Sequence, residues 1–192
     1  MKRRIILASA SPKRKELLAK TGLKFEVVSS DYLEDMTLPL PPRELVKFLS
    51  KGKAKSVASK YKNAIIVSAD TIACFKNKIF GKPHTKKKAF QMLNELSGHT
   101  LLAFTGFTII DTKNGNIISK AVETKLTFKK LSEKMINEYI KNGKPLKYAG
   151  AFTLRDIEAR GFIQKIEGDA DNVIGLPVDT VMKALKKFGI KI

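Results

Sequence analysis

The run Arg4-Ile5-Ile6-Leu7-Ala8-Ser9-Ala10-Ser11-Pro12-Lys13-Arg14-Lys15-Glu16-Leu17-Leu18 constrains this chain more than any other stretch. Ile5–Ala8 reads as a short buried strand and Ser9–Ser11 as a small-residue loop. Lys13–Thr21 reads as a helix that Pro12 opens and Gly22 closes. A strand that passes through a tight loop into a helix builds an anion site, because free backbone N–H groups point outward and the helix dipole favours negative charge. Ser9 and Ser11 add hydroxyl donors. Lys13 and Arg14 stand in the first turn, where the dipole alone prefers acids, so the arrangement is locally unfavourable until an anion arrives. The same residues also suit an ordinary Ser-Pro helix opening with surface cations, and both readings stand on residue types alone. No Gly-x-x-x-x-Gly-Lys-[Ser/Thr] run is present, so this is not a Walker loop.

With 192 residues the chain is long enough for one domain with a substantial core, or for a domain with a lobe. No apolar stretch reaches membrane-spanning length, and no apolar run followed by a cleavage site marks a signal peptide. The expectation is a cytoplasmic protein without a membrane partner. The single cysteine, Cys74, excludes an internal disulfide and a cysteine-based zinc cluster. It follows Ala73 on an apolar segment and reads as a buried structural thiol. The net charge of +19 suggests a polyanionic partner. However, the cations are 31 lysines and only 6 arginines, spread over the whole length. Base-edge readers rely on Arg, and single-strand binders interleave aromatics with basic residues. Neither pattern is concentrated here, so no specific nucleic-acid partner is expected. Much of the excess fits a Lys-rich proteome or a thermophilic surface, and part of it would steer a small polyphosphate towards a cleft.

Further along, Lys24–Ser29 reads as a second strand. The stretch from Ser30 to Pro42 reads as a long loop with acids at Asp31, Glu34 and Asp35. Pro42 opens a helix reaching about Lys60. Ala64–Ala69 is a buried strand expected to end at Asp70-Thr71, with a second apolar run at Ile72–Phe75 and a return at Ile79–Phe80. Thr85 caps a helix to about Leu96. Thr100–Ile110 and Ile117–Phe128 are long strands around the hairpin signal Asn114-Gly115. Ser132 caps a helix to about Asn142 that Gly143 ends, and a loop through Pro145 follows. Gly161–Ile166 is a strand, and Leu176–Phe188 a closing helix. No internal repeat or low-complexity linker appears. The expected architecture is α/β, a single elongated domain over 1–192 with two lobes and a cleft between them.

Asp70, where a buried strand is expected to end, can hold a metal, accept a proton from water, or cap a turn. Glu34 is either a second carboxylate for the same site or a solvated loop acid. Mg²⁺ takes one or two carboxylates together with waters and phosphate oxygens. Lys82, in the rigid turn Gly81-Lys82-Pro83, could aim its ammonium inward, and Lys53 lies on a helix among other lysines. His84 and His99 lack metal-ligand spacing. Neither Ser9 nor Ser11 lies in a Gly-x-Ser-x-Gly elbow with a His–Asp partner.

Leu7–Leu18 closely resembles the opening signature of the Maf family. The resemblance continues through Ala69-Asp70-Thr71, Gly81-Lys82-Pro83, Leu93-Asn94-Glu95-Leu96-Ser97-Gly98-His99, Thr105-Gly106, Tyr139, Ala149-Gly150-Ala151-Phe152 and Asn172-Val173-Ile174-Gly175-Leu176-Pro177. These blocks keep the family's order over nearly the whole chain. The resemblance implies an elongated two-lobed mixed sheet flanked by helices, with a central cleft, as in inosine triphosphate pyrophosphatases (an anticodon-binding-like fold). It implies hydrolysis of a nucleoside triphosphate to the monophosphate and pyrophosphate, in house-cleaning of noncanonical or excess nucleotides. Under it Ser9, Lys13 and Arg14 fall on phosphate-gripping positions, Glu34 on a loop glutamate and Lys53 on a lysine of the following helix. Asp70 falls on the proton acceptor and Lys82 on a phosphate-facing lysine. Glu34 and Asp70 are the implied ligands of a divalent metal cation, Mg²⁺ or Mn²⁺, and a homodimer is implied.

Thr71 favours the dTTP/UTP branch of the family over the 7-methyl-GTP branch. Arg155 stands where that branch carries Gln, and a guanidinium donates but cannot accept as an amide does. Lys13 replaces the usual Arg, Leu33 an aspartate, and Lys147-Tyr148 an Asp-Lys pair. The competing reading is a non-catalytic basic protein that binds nucleic acid or regulates cell division. Asp70 with Glu34 discriminates, because two carboxylates beside a cationic pocket repel phosphate unless a metal joins them.

Overall fold

The computed structural model of the chain describes residues 3–141 and 144–190. In chain order the elements are β1 (Arg4–Ala8), α1 (Pro12–Ala19), β2 (Glu26–Val28), α2 (Pro42–Ala58), β3 (Ala64–Phe75), β4 (Lys78–Phe80), α3 (Lys86–Leu96), β5 (Thr100–Asp111), β6 (Ile117–Phe128), α4 (Glu133–Lys141), α5 (Ile157–Gly161), β7 (Ile163–Glu167), α6 (Ala170–Ile174) and α7 (Val178–Lys186). Two 3-10 turns, Lys144–Lys147 and Ala149–Ala151, precede α5. The strands form a seven-stranded sheet in the order β2-β1-β3-β5-β6-β7, with β4 also on β3. The sheet is mixed: β1 runs parallel to β2 and β3, whereas β3–β4 and β6–β7 are antiparallel.

The chain divides into two compact units. The first holds the chain up to Thr71, Thr105–Val122 and everything from Gly175 on; the second holds Ile72–Phe104 and Glu123–Ile174. In the first unit, α2 begins where Pro42 presets the helical φ, and Glu44 and Lys55 complement its dipole at the two ends. Leu45, Val46, Leu49, Ala54 and Val57 recur at helical spacing and are buried. Ala54 and Val57 pack with Ile6, Ala8, Ala64 and Ile66 of β1 and β3. Gly106 of β5 lies directly under the helix backbone. A Cβ there would stand no more than 2.6 Å from backbone atoms of Val46 and Lys47. Only glycine lets α2 approach the strand this closely.

In the second unit, α3 and α4 bury one face each. Ala89, Met92, Leu93, Leu96, Ile136, Tyr139 and Ile140 cluster with Ala73, Phe75, Leu101, Ala103, Leu126 and Phe128 of the strands. Edge-on ring pairs, Phe128–Phe152 at 5.2 Å and Tyr139–Phe162 at 5.1 Å, fasten the 3-10 segment and the α5 end to that core. Cys74 is buried, and burial pushes its thiol pKa up, as a structural thiol requires. Among the described residues, no helix is long and apolar enough to cross a membrane.

The structure corrects several expected boundaries. The strand from Ala64 does not end at Asp70 but runs on to Phe75, so Asp70 lies inside β3. The apolar residues on both sides of Asp70-Thr71 are buried and keep the strand going. The second strand shrinks to Glu26–Val28, the residues that pair with β1. The expected loop after Pro145 contains the 3-10 turns and α5, whose N-cap Asp156 accepts from the N–H groups of Glu158 and Ala159. The stretch between β7 and α7, to which the sequence assigns no element, contains the short helix α6. The expected helix end at Asn142-Gly143 lies outside the described residues.

Candidate active site

The opening loop and α1 form in the order the residue types dictate. Ser11 is the N-cap, its Oγ accepting from the Arg14 N–H at 3.5 Å, and Pro12 is the first helical residue. The Ser11 N–H in turn donates to Ser9 Oγ at 3.2 Å, which fixes the turn out of β1. Ser9 is buried and Lys13 half-buried. The Arg14 side chain folds back over this loop. Its Nε donates to the Gly175 carbonyl at 2.9 Å, Nη1 to Ser9 Oγ at 3.4 Å and Nη2 to Thr71 Oγ1 at 3.4 Å. Burial lowers the Arg14 pKa, while the charges of Asp70 and Glu34 oppose that shift. A guanidinium remains protonated in such a setting.

On β3, alternation sends neighbouring side chains to opposite faces. Thr71 meets Arg14, Thr105 Oγ1 at 2.8 Å and the Gly175 carbonyl at 3.4 Å. Its hydroxyl is therefore held by the protein itself. Ser68 and Asp70 share the other face, which looks onto α2. Ser68 Oγ donates to the Ser50 carbonyl at 2.6 Å, and Ser50 Oγ meets Thr108 Oγ1 at 2.9 Å. This small polar layer lets the helix lie close enough for Lys53 to reach Asp70.

Lys53 is buried within α2, and its Nζ is bonded to Asp70 Oδ1. The same Nζ lies 2.7 Å from Glu34 Oε1. One cationic centre therefore bridges two carboxylates. Asp70 is only 5% exposed, whereas the Glu34 side chain is 43% exposed. Burial raises the Asp70 pKa above the usual aspartate value. The Lys53 ammonium and its hydrogen bond pull against that rise, as does Arg14, and the Glu34 charge adds to it. The result is a carboxyl more basic than an exposed aspartate, held beside two cations.

The first unit thus holds two clusters of side-chain contacts, Arg14 with Ser9 and Thr71, and Lys53 with Glu34 and Asp70. Lys82 and Arg155 belong to the second unit, and both are exposed. Lys82 is preceded by Gly81, whose carbonyl accepts from the Gly150 N–H at 3.1 Å. The Arg155 N–H donates to Thr153 Oγ1 at 3.5 Å. Two partners of Arg14 and Thr71, the Gly175 carbonyl and Thr105, were not among the residues the sequence singled out. The Gly175 carbonyl, which fixes Arg14, is backbone and leaves no side-chain signal. Thr105 and Gly175 both lie in blocks noted only for their resemblance.

The donor set suits a hard divalent cation. Two carboxylates already share one positive centre, the Lys53 ammonium, and carboxylate oxygens are the protein ligands that Mg²⁺ and Mn²⁺ accept. Among the described residues there is no group of three or more His, Cys, Asp and Glu that could hold a metal alone.

The Maf-like protein family matches residues 4–188 of this chain. A dTTP/UTP pyrophosphatase of Methanococcoides burtonii is 43% identical over 99% of this chain and 97% of its own length. One from Methanosarcina barkeri is 41% identical over 99% of this chain and 96% of its own, and one from Thermoanaerobacter sp. is 42% identical over 96% of each. Among solved structures, a nucleoside-triphosphatase/dITP/XTP pyrophosphatase from Mycobacterium abscessus aligns over 67% of this chain and 75% of its own at TM-score 0.42 and 12% identity, too distant to bear on the site.

Proposed function

This chain belongs to the Maf-like protein family, and we propose that it is a nucleoside triphosphate pyrophosphatase that prefers dTTP and UTP. The preference rests on the full-length relatives that carry that activity in their names. The single observation that carries the chemistry is the buried Lys53 ammonium shared by Asp70 and Glu34, beside an arginine folded over a helix N-terminus.

The reaction adds water to the α-phosphorus and breaks the bond from that phosphorus to the bridging oxygen of the pyrophosphate. Asp70 accepts the proton the water loses, and burial makes its carboxylate the stronger base. Arg14, Lys13 and the N–H groups at the start of α1 neutralise the triphosphate, with Ser9 fixing the Arg14 side chain. Lys53 keeps Asp70 and Glu34 in register and offsets their mutual repulsion. We assign Lys82 to phosphate neutralisation and Arg155 to the choice of base, with Thr71 serving the substrate through the Arg14 side chain whose Nη2 it accepts from. Arg155 in place of an amide can donate and cannot accept, which suits the two carbonyl oxygens of thymine and uracil. Glu34 and Asp70 are the residues to hold a divalent cation, Mg²⁺ or Mn²⁺, which supplies Lewis-acid neutralisation of charge on the phosphates.

The test is a panel of ribo- and deoxynucleoside triphosphates with Mg²⁺ or Mn²⁺, assayed for monophosphate and pyrophosphate. We expect equimolar release of the two products, fastest from dTTP and UTP. Release of orthophosphate with a diphosphate product, or no turnover from any nucleotide, overturns the reading.

A further inference from the structure

The helix α2 carries a glycine, Gly52, well inside its seventeen residues. Interior glycine weakens a helix relative to alanine because it loses more backbone freedom on folding. The fold uses the missing side chain. The Tyr32 ring lies on the Gly52 Cα, and a Cβ there would stand no more than 2.7 Å from each of three ring carbons, Cε1, Cε2 and Cζ. Three further contacts tie the same loop to the helix and to the residues just past its end. Ser30 Oγ meets Ser56 Oγ at 2.8 Å, Asp31 pairs with Lys60 at 3.1 Å, and Glu34 pairs with Lys53 at 2.7 Å. Gly52 and Ser56 are four residues apart on one stripe of α2, and Lys60 continues the spacing just past its end.

The contacts differ in weight. Asp31 and Lys60 are exposed, so their ion pair holds the loop weakly. Leu33 is 90% exposed and Met36 39%, so the apolar residues flanking Glu34 bury little. Tyr32 is half-buried and packs without losing many rotamers. We propose that Tyr32 is a positioning residue whose ring, seated on Gly52, straps the 30–34 segment along α2 and delivers the Glu34 carboxylate to Lys53 and Asp70. Without the strap, Glu34 would hang from a loop held by polar contacts at its margin. The proposal rests on Glu34 serving the site described above.

The test compares Tyr32→Phe, Tyr32→Ala and Gly52→Ala in the full chain, each in the wild-type and the Glu34→Gln background. Gly52→Ala is informative because alanine suits the helix while its methyl group displaces the ring. Tyr32→Phe should keep kcat/KM within about twofold of wild type, since the ring and its seat remain. Tyr32→Ala and Gly52→Ala should lower kcat/KM about ten- to a hundredfold, as loss of a group that orients a ligand carboxylate does. Neither should lower it further in the Glu34→Gln background. Amide hydrogen exchange should quicken at 30–35 in both variants while α2 keeps its protection. Unchanged exchange at 30–35, or equal losses with and without Glu34, overturns the proposal. If no nucleotide is turned over, the pyrophosphatase reading falls, and the exchange measurement still decides whether the ring holds the loop.

Discussion

At the residue scale the site is a balance of burial against charge on Asp70. Its raised pKa means that the folded protein keeps a proton on this carboxyl at pH values where the unfolded chain has already released it. Stability therefore falls as pH rises from the ordinary aspartate range through the folded value, and it is regained on the way down. Denaturant titrations at stepped pH should show this slope in wild type and its absence in Asp70→Asn. The same substitution should lower kcat/KM by about 10²–10⁴-fold, the usual share of a general base, with the circular dichroism spectrum unchanged. Lys53 opposes the rise, so Lys53→Met should move the acid limb of the kcat/KM profile to higher pH. It should also cost about 3–5 kcal/mol of stability, because Asp70 is left buried without its closest cation. An acid limb that stays in place would remove Lys53 from the control of Asp70. Asp70 and Glu34 were candidates in the sequence, one at an expected strand end and the other on a long loop. Their sharing of one ammonium was not visible there, because Lys53 resembles any other lysine of a Lys-rich helix until its face is known to be buried.

At the element scale, α2 makes two close approaches through glycine, and they differ in what gives way. Under Gly106 the obstacle to a side chain is the backbone of Val46 and Lys47, which cannot rotate aside. Over Gly52 the obstacle is a tyrosine ring, which can swing out. Gly106→Ala should thus destabilise the chain by about 1–3 kcal/mol, the cost of overpacking, and urea denaturation would show it as a lower midpoint. A midpoint equal to wild type would mean that the helix does not rest on β5 as described. Several elements were legible from local chemistry: the Pro-started helices, the Thr85 cap, and the β5–β6 hairpin around Asn114-Gly115. Capping, proline and turn preferences act within a few residues and leave a local mark. The unbroken β3 was not legible, because a polar Asp70-Thr71 pair looks like a strand end. Its residues stay in the strand because α2 supplies a cation on one face and Arg14 covers the other.

At the scale of the whole molecule, the charge of +19 acts on every anion that approaches. Raising ionic strength from about 0.1 M to 1 M shortens the screening length from about 10 Å to about 3 Å. The KM for the nucleotide should rise over that range while kcat changes little. A KM indifferent to salt would show that the general charge plays no part in capture. The sequence by itself determined most of the alternation of strands and helices, the Ser-Pro opening of α1 with cations in its first turn, and the excess of positive charge. These follow from periodicity, capping and residue type, which are local properties. Tertiary structure alone decided that Lys53 joins Asp70 to Glu34, that the Gly175 carbonyl fixes Arg14 from across 161 positions of chain, and that Tyr32 lies on Gly52. It also decided that Asp70 is a stronger base than its residue type implies. Each depends on which faces of distant elements are brought together and dried, and desolvation is a property of the packed molecule rather than of any residue in it.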